Sequence, residues 1–223
     1  MAAVTEYLKS LVAPLLALAA VTYGTGKLLL EVSHVEPSLS RDVAADRTGL
    51  WNGLTDLGSS LSDTPYIVAL TLIAAIVFRL AYGRWRESVF LALAVWAQSL
   101  IFLATTNLVG RHRPPVEHLD PAPPTSSFPS GHVSAAVAFY CGVALVLTTH
   151  HHRSRLLTAA IWAVGLGAPL AVAFARIYRG MHFVTDVLWG ILLGGVCLAV
   201  VARAVLFGPS RRRPSVPRSA TAR

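Results

Sequence analysis

Three separated stretches of the chain carry side chains able to grip and cleave a phosphate ester: Arg113-Pro114, Phe128-Pro129-Ser130-Gly131-His132, and Arg176 followed by His182 and Asp186. A guanidinium is planar, permanently charged and matched to phosphate oxygens in pairs. Proline after Arg113 keeps that backbone extended and stops a helix, so the side chain is presented rather than paired along a helix. Taken alone, the dipeptide reads equally well as an interfacial arginine touching lipid headgroups. Ser130 and Gly131 lead into an apolar run. There a helix N-terminus turns its amides toward an anion, and glycine lets the backbone come close.

His132 stands at the same mouth, where an imidazolium can protonate a departing ester oxygen. The plainer reading is a capping serine beside an interfacial histidine. His182 and Asp186 are spaced to share one face of a helix that begins near His182. A carboxylate so placed holds one ring nitrogen and leaves the other as nucleophile or base, or else the two form a structural pair at a helix start. Arg176 can neutralise the oxygens of a phosphoryl group in transfer. His112, Glu117, His118 and Asp120 form no recognisable ligand spacing with this pair, so no metal ligand is assigned.

The elements that position these residues follow from composition. The 223 residues are 54% hydrophobic and only 13% charged, with a mean hydropathy of +0.58; soluble domains average about 25% charged. Six apolar runs, each near the length that crosses a bilayer as a helix, extend over Leu11–Leu30, Pro65–Tyr82, Val89–Leu108, Val133–Thr149, Leu156–Ala175 and Val187–Leu206. The fold class expected is therefore all-α, a polytopic bundle of six transmembrane helices. One domain spans residues 1–207, and a basic, disordered tail spans 208–223. Leu18-Ala19-Ala20 resembles a signal-peptide cleavage site, but the weakly basic N-terminal stretch favours a retained helix.

The net charge of +8 raises nucleic-acid binding as a possibility. Arginines gathered between apolar runs instead mark cytoplasmic helix ends. Arg79, Arg84 and Arg86 lie in the last residues of the second run and the turn after it, Arg153 and Arg155 follow the fourth, and Arg203, Arg211, Arg212, Arg213, Arg218 and Arg223 lie at the end of the sixth and in the tail. The connection Glu31 to Asp63 carries six acids against two arginines. Both termini are thus expected in the cytoplasm, with Gly110–His132 and Arg176–Asp186 together outside. Within the first connection, Val43, Leu50, Trp51, Leu54 and Leu57 recur at roughly helical period, as in a segment lying along the membrane surface or a plain amphipathic linker. His150-His151-His152 precedes cytoplasmic arginines and reads as solvated interfacial cations. Gly190 and Gly194 have the spacing of close helix packing within the bundle.

Together, Arg113-Pro114, Pro129-Ser130-Gly131-His132 and Arg176 with His182 and Asp186 resemble the three signature motifs of the type 2 phosphatidic acid phosphatase and vanadium haloperoxidase superfamily. The resemblance runs from about residue 61 to 206 and implies a six-helix membrane phosphatase with an outward-facing site. It implies that His182 attacks phosphorus to form a phosphohistidine, that Asp186 orients it and that His132 protonates the leaving oxygen. Arg113, Ser130, Gly131 and Arg176 would bind the phosphoryl oxygens, with no metal or other cofactor. The implied substrates are membrane lipid phosphates: phosphatidate, phosphatidylglycerol phosphate, and polyprenyl phosphates or diphosphates. Short loops and a basic end fit a bacterial plasma membrane.

Two positions depart from the family pattern. Thr106 stands where a lysine is expected and Ala175 where a serine is expected. Arg111 and Arg179 are near enough in sequence to replace the lost cation, and Arg111 and Thr106 join the candidate substrate-binding residues. The alternative is a catalytically weakened lipid-phosphate-binding or scaffold protein of the same fold. A transporter is disfavoured because the runs hold few ionisable residues at depth.

Overall fold

A computed structural model describes residues 2–32, 37–151 and 154–208. Glu36, His152, Arg153 and the tail from residue 209, with its arginines, lie outside the described residues. All regular structure among the described residues is helical. The helices are α1 (Ala2–Val32), α2 (Pro37–Ala45), α3 (Gly49–Ser60), α4 (Thr64–Tyr82), α5 (Arg86–Val109), α6 (Gly131–Ala136), α7 (Gly142–His150), α8 (Arg155–Tyr178) and α9 (Val184–Val201). A π-helical turn, Val137–Cys141, joins α6 to α7 in one continuous helix, and a second, Ala202–Leu206, extends α9. Six helices are long and apolar enough to cross a membrane, each overlapping one of the six runs.

Helix ends follow local chemistry. Thr48 caps α3 by accepting from the Trp51 amide, and Ser154 caps α8 by accepting from Leu157. Helices α4 and α5 stop at Gly83 (φ +69°) and Gly110 (φ +77°), the left-handed geometry that glycine supplies without a Cβ penalty. The first connection folds into two short helices rather than one amphipathic segment, because Asp46-Arg47-Thr48 interposes a turn and a new cap. Leu39, Leu50, Trp51, Leu54, Leu57 and Leu61 remain exposed on α2, α3 and the turn that follows.

The helix running from Gly131 to His150 is the most enclosed of the six, packed by α5, α8 and α9. Phe90, Leu91 and Ala94 of α5 pack fully buried in the cluster that also holds Val137, Ala138 and Val146. Helices α1, α4 and α8 instead turn Leu16, Leu28, Leu72, Ile73, Leu80, Leu166 and Leu170 outward. Such a surface suits hydrocarbon rather than water. A Cβ at Gly190 would lie 2.8 Å from the Ser130 carbonyl oxygen, and one at Gly194 would lie 2.5 Å from that of Ser134. These glycines therefore let α9 lie directly against the start of α6, and their spacing serves packing inside the bundle. Ser134 also donates to Gln98 of α5 at 2.7 Å, a buried polar link that ties α6 to α5 as well.

At the opposite pole, His150 stacks on Tyr82 with centroids 3.8 Å apart, and its Nε2 is 3.2 Å from a Glu87 carboxylate oxygen. His150 is thus a packed residue and not a freely solvated one.

Candidate active site

The chain folds the three motif stretches onto one cavity of about 330 Å³. Arg113, Gly131, His132, Arg176 and His182 line it, and Asp63, Asp120 and Ser59 join them from elements outside the motifs. Ser130 is fully buried at the N-terminus of α6, with its amide donating to the Asp186 carbonyl at 3.0 Å.

His182 precedes α9 rather than starting it. The Asp186 carboxylate caps this helix by accepting from the Phe183 amide at 3.0 Å, so the helix begins at Val184. The imidazole Nδ1 therefore finds the Ser127 carbonyl oxygen at 2.7 Å, while Asp186 Oδ2 stands 3.8 Å away. A carbonyl can only accept, so Nδ1 carries the proton and Nε2 keeps its lone pair. Asp186 is too far for a hydrogen bond but near enough to attract a ring that becomes positive. Burial pushes the His182 pKa down to about 4, which leaves the ring neutral at pH 7.

The cationic side is made by Arg113 and Arg176. Arg113 donates through Nη1 to the Met181 carbonyl at 2.7 Å, and burial lowers its pKa from the ordinary arginine value. Arg176 donates through Nη1 to Ser59 Oγ at 2.8 Å and to Asp120 Oδ2 at 2.7 Å. Asp120 also holds Arg179, with Oδ1 2.7 Å from Nε, so one carboxylate braces both arginines at the end of α8. Arg113 Nε, Arg176 Nε and Ser130 Oγ are buried without a hydrogen-bond partner among the described residues. Buried donors are normally satisfied. Arg113 and Arg176 line the cavity, where a phosphate-like anion would accept from them, whereas Ser130 lies beside Gly131 and behind the lining residues. Ser130 occupies the N-cap position, yet its hydroxyl makes no capping bond and stays available.

Arg111 and Thr106 lie apart from the cavity wall. Arg111 is buried, forms a close ion pair with Asp186, donates to Thr185 Oγ1 at 2.8 Å and sits over the Phe183 ring. Thr106 donates to the Ser126 carbonyl at 2.9 Å and accepts from the Ser126 amide through its own carbonyl. Both brace the loop that carries Ser127 and Ser130. Arg179 is likewise taken up by Asp120, Asp56 and carbonyl oxygens.

The family model described as the PAP2 superfamily matches residues 65–208. The chain belongs to the PAP2 superfamily. It is 32% identical over 151 residues to Phosphatidylglycerophosphatase B of Bacillus subtilis (strain 168), a match covering 64% of this chain and 67% of that protein. The crystal structure of the first transmembrane PAP2 type phosphatidylglycerolphosphate phosphatase from Bacillus subtilis superimposes with a TM-score of 0.77 at 21% identity, covering 92% of this chain and all of that one. That of Aquifex aeolicus LpxE gives a TM-score of 0.57 at 21% identity, over 74% and 93% of the respective chains. These likenesses show that this PAP2 superfamily member has their multi-pass, all-helical membrane fold.

Sequence reasoning found the motif residues of this PAP2 superfamily member and missed the groups that hold them. Asp120 carried no metal-ligand spacing to single it out, and Ser127 contributes only a carbonyl oxygen, which no residue type encodes. Asp63 approaches His132, with Oδ1 3.1 Å from Nε2. Burial raises the Asp63 pKa, with Arg176 pulling the other way.

Proposed function

We propose that this PAP2 superfamily member hydrolyses a lipid phosphate monoester or diphosphate through a phosphohistidine on His182. The hydrolase class and the membrane setting rest on family membership and on the curated relative's name. The observation that carries the mechanism is the Nδ1–H of His182 bonded to Ser127, which frees Nε2 as a neutral nucleophile facing a cavity with two arginines.

The lipid's phosphoryl oxygens are received by Arg113, Arg176, Ser130 and the Gly131 backbone, which neutralise charge as the P–O bond loosens. Nε2 of His182 forms the P–N bond, and the ester bond breaks toward the lipid alcohol. His132 protonates the leaving oxygen and then takes a proton from the water that hydrolyses the P–N bond. Asp186 offsets the positive ring in between. The arginines supply the positive charge of the reaction, which supports metal independence. A glycerophospholipid phosphate, of the kind named in the relative, heads the substrate candidates, followed by phosphatidate and polyprenyl phosphates or diphosphates. Arginine asymmetry supports an extracytoplasmic site in a plasma membrane with both termini inside.

The test is phosphate release from a panel of these lipids by purified protein in the presence of a chelator. Activity should persist there, fall with vanadate and vanish in His182→Ala, and radiolabelled phosphate should be trapped on the wild type as an acid-labile adduct. Full activity in His182→Ala would rule out the nucleophile. Silence across the whole panel, with binding retained, would favour the weakened lipid-binding alternative.

A further inference from the structure

Asp63 does not do the work its position suggests. It is the N-cap of α4, where a carboxylate normally accepts from an amide of the first turn, yet its side chain makes no capping bond. Only its carbonyl serves the helix, accepting from Ile67 at 3.0 Å. The carboxylate instead meets His132 Nε2 at 3.1 Å, across 69 positions of sequence, and both residues line the cavity that holds His182 and Arg176. Its backbone is pinned by the Ser60 carbonyl on one side and by Pro65 in the first turn of α4 on the other. Asp63 lies just outside the stretch 65–208 that the family model matches. The pair is partly solvent-exposed, at 28% for the His132 side chain and 40% for that of Asp63. Its worth as a stabilising ion pair is therefore small.

We propose that Asp63 is the positioning residue for the general acid: its carboxylate holds the His132 imidazole at the cavity and supports the protonated ring that surrenders a proton to the leaving lipid oxygen. This rests on the phosphohistidine reading above. In the first half-reaction the Nε2 lone pair of His182 forms the P–N bond while the P–O bond to the lipid alcohol breaks. The released electron pair stays on that oxygen and takes an N–H proton from the His132 imidazolium. In the second, water oxygen bonds to phosphorus, its proton returns to His132, and the P–N electrons return to His182 as inorganic phosphate departs. The Asp63 carboxylate is unchanged throughout and balances the imidazolium charge. The arrangement parallels Ser127 and Asp186 at His182, so each histidine has its own oxygen partners.

The discriminating measurement compares two esters of equal chain length: an alkyl phosphate, whose alkoxide must be protonated to leave, and an alkyl-substituted nitrophenyl phosphate, whose phenolate departs as a stable anion. The quantity read is kcat/KM, which reports the phosphorylation step. Asp63→Asn should lose about 10²-fold on the alkyl ester, the scale of general-acid catalysis, and little on the nitrophenyl ester. Asp63→Glu should recover much of the alkyl activity, and His132→Asn should reproduce the selective loss. The ratio of the two esters is taken within one protein sample, so partial unfolding does not affect it. An equal fall on both esters, or none on either, overturns the role of Asp63. A wild-type protein inactive on both, or a fully active His182→Ala, overturns the underlying reaction instead.

Discussion

His182 Nδ1 donates to the carbonyl oxygen of Ser127 at 2.7 Å, a shorter and more decisive contact than the 3.8 Å separation from the Asp186 carboxylate. The backbone therefore sets the tautomer, and Asp186 acts on the ring through charge. Where a carboxylate alone fixes the tautomer, its amide variant loses about 10⁴-fold in kcat. Asp186→Asn should lose less, about 10²-fold per folded molecule, a scale typical of one electrostatic contact in an active site. A loss as deep as that of His182→Ala would show that the carboxylate, and not Ser127, sets the ring.

Arg111 and Arg113 are two positions apart and should behave oppositely. Arg111→Met leaves buried Asp186 without its closest cation, and breaking a buried pair costs about 3–5 kcal/mol. Its phenotype should be a lowered unfolding midpoint with KM little altered in the molecules that remain folded. Arg113→Met should keep its midpoint and lose kcat/KM, because its Nε is one of the buried donors left for a ligand. Thermal unfolding in detergent alongside lipid-phosphate kinetics separates the two.

Thr106 ties α5 to the loop through its hydroxyl on the Ser126 carbonyl. Thr106→Val keeps the shape and removes the donor, leaving that buried carbonyl with less than its full set of bonds, at a cost of about 1–3 kcal/mol. The loop ahead of Ser130 should loosen, and proteolysis or hydrogen exchange at 126–130 should report it. Unchanged protection there would show that the hydroxyl is dispensable.

Burial of neutral His182 links stability to pH. Its folded pKa is depressed to about 4 from an ordinary 6.5, so its contribution is complete above about 6.5 and is lost as pH falls toward 4. His182→Asn cannot titrate. The stability of this variant relative to the wild type should therefore rise between pH 7 and pH 4, by on the order of 3 kcal/mol at the acid end. Denaturation midpoints of both proteins across that range, in one detergent, provide the check. A constant difference would mean that the ring is not buried neutral.

Gly190 faces the Ser130 carbonyl, where a methyl group would sit 2.8 Å away from backbone that cannot step aside. Gly190→Ala should displace α9 from the segment Ser130–Val133 at a cost of about 1–3 kcal/mol. Catalysis should fall although no cavity side chain has changed. Gly195, with open space around its Cβ position, provides the control, and Gly195→Ala should be neutral in both assays.

By itself the sequence determined the class of solvent, the six spans and the three motif stretches of the superfamily. Apolar runs of bilayer length leave few alternatives to membrane helices, and arginine, serine and histidine carry their chemistry in their side-chain types. It also located Thr106 and Arg111 as positions of interest, but not what they do. Only the tertiary structure decided that both support the loop, because hydrogen bonds to Ser126 and Asp186 depend on how α5 and α9 meet. The partners of the candidate catalytic groups were hidden for the same reason. Ser127 acts through a carbonyl that every residue possesses, and Asp63 and Asp120 reach the motif side chains from 69 and 56 positions away. Chain order records which groups exist, whereas their pairing is fixed by packing, through glycine contacts and helix ends that bring distant oxygens within bonding distance.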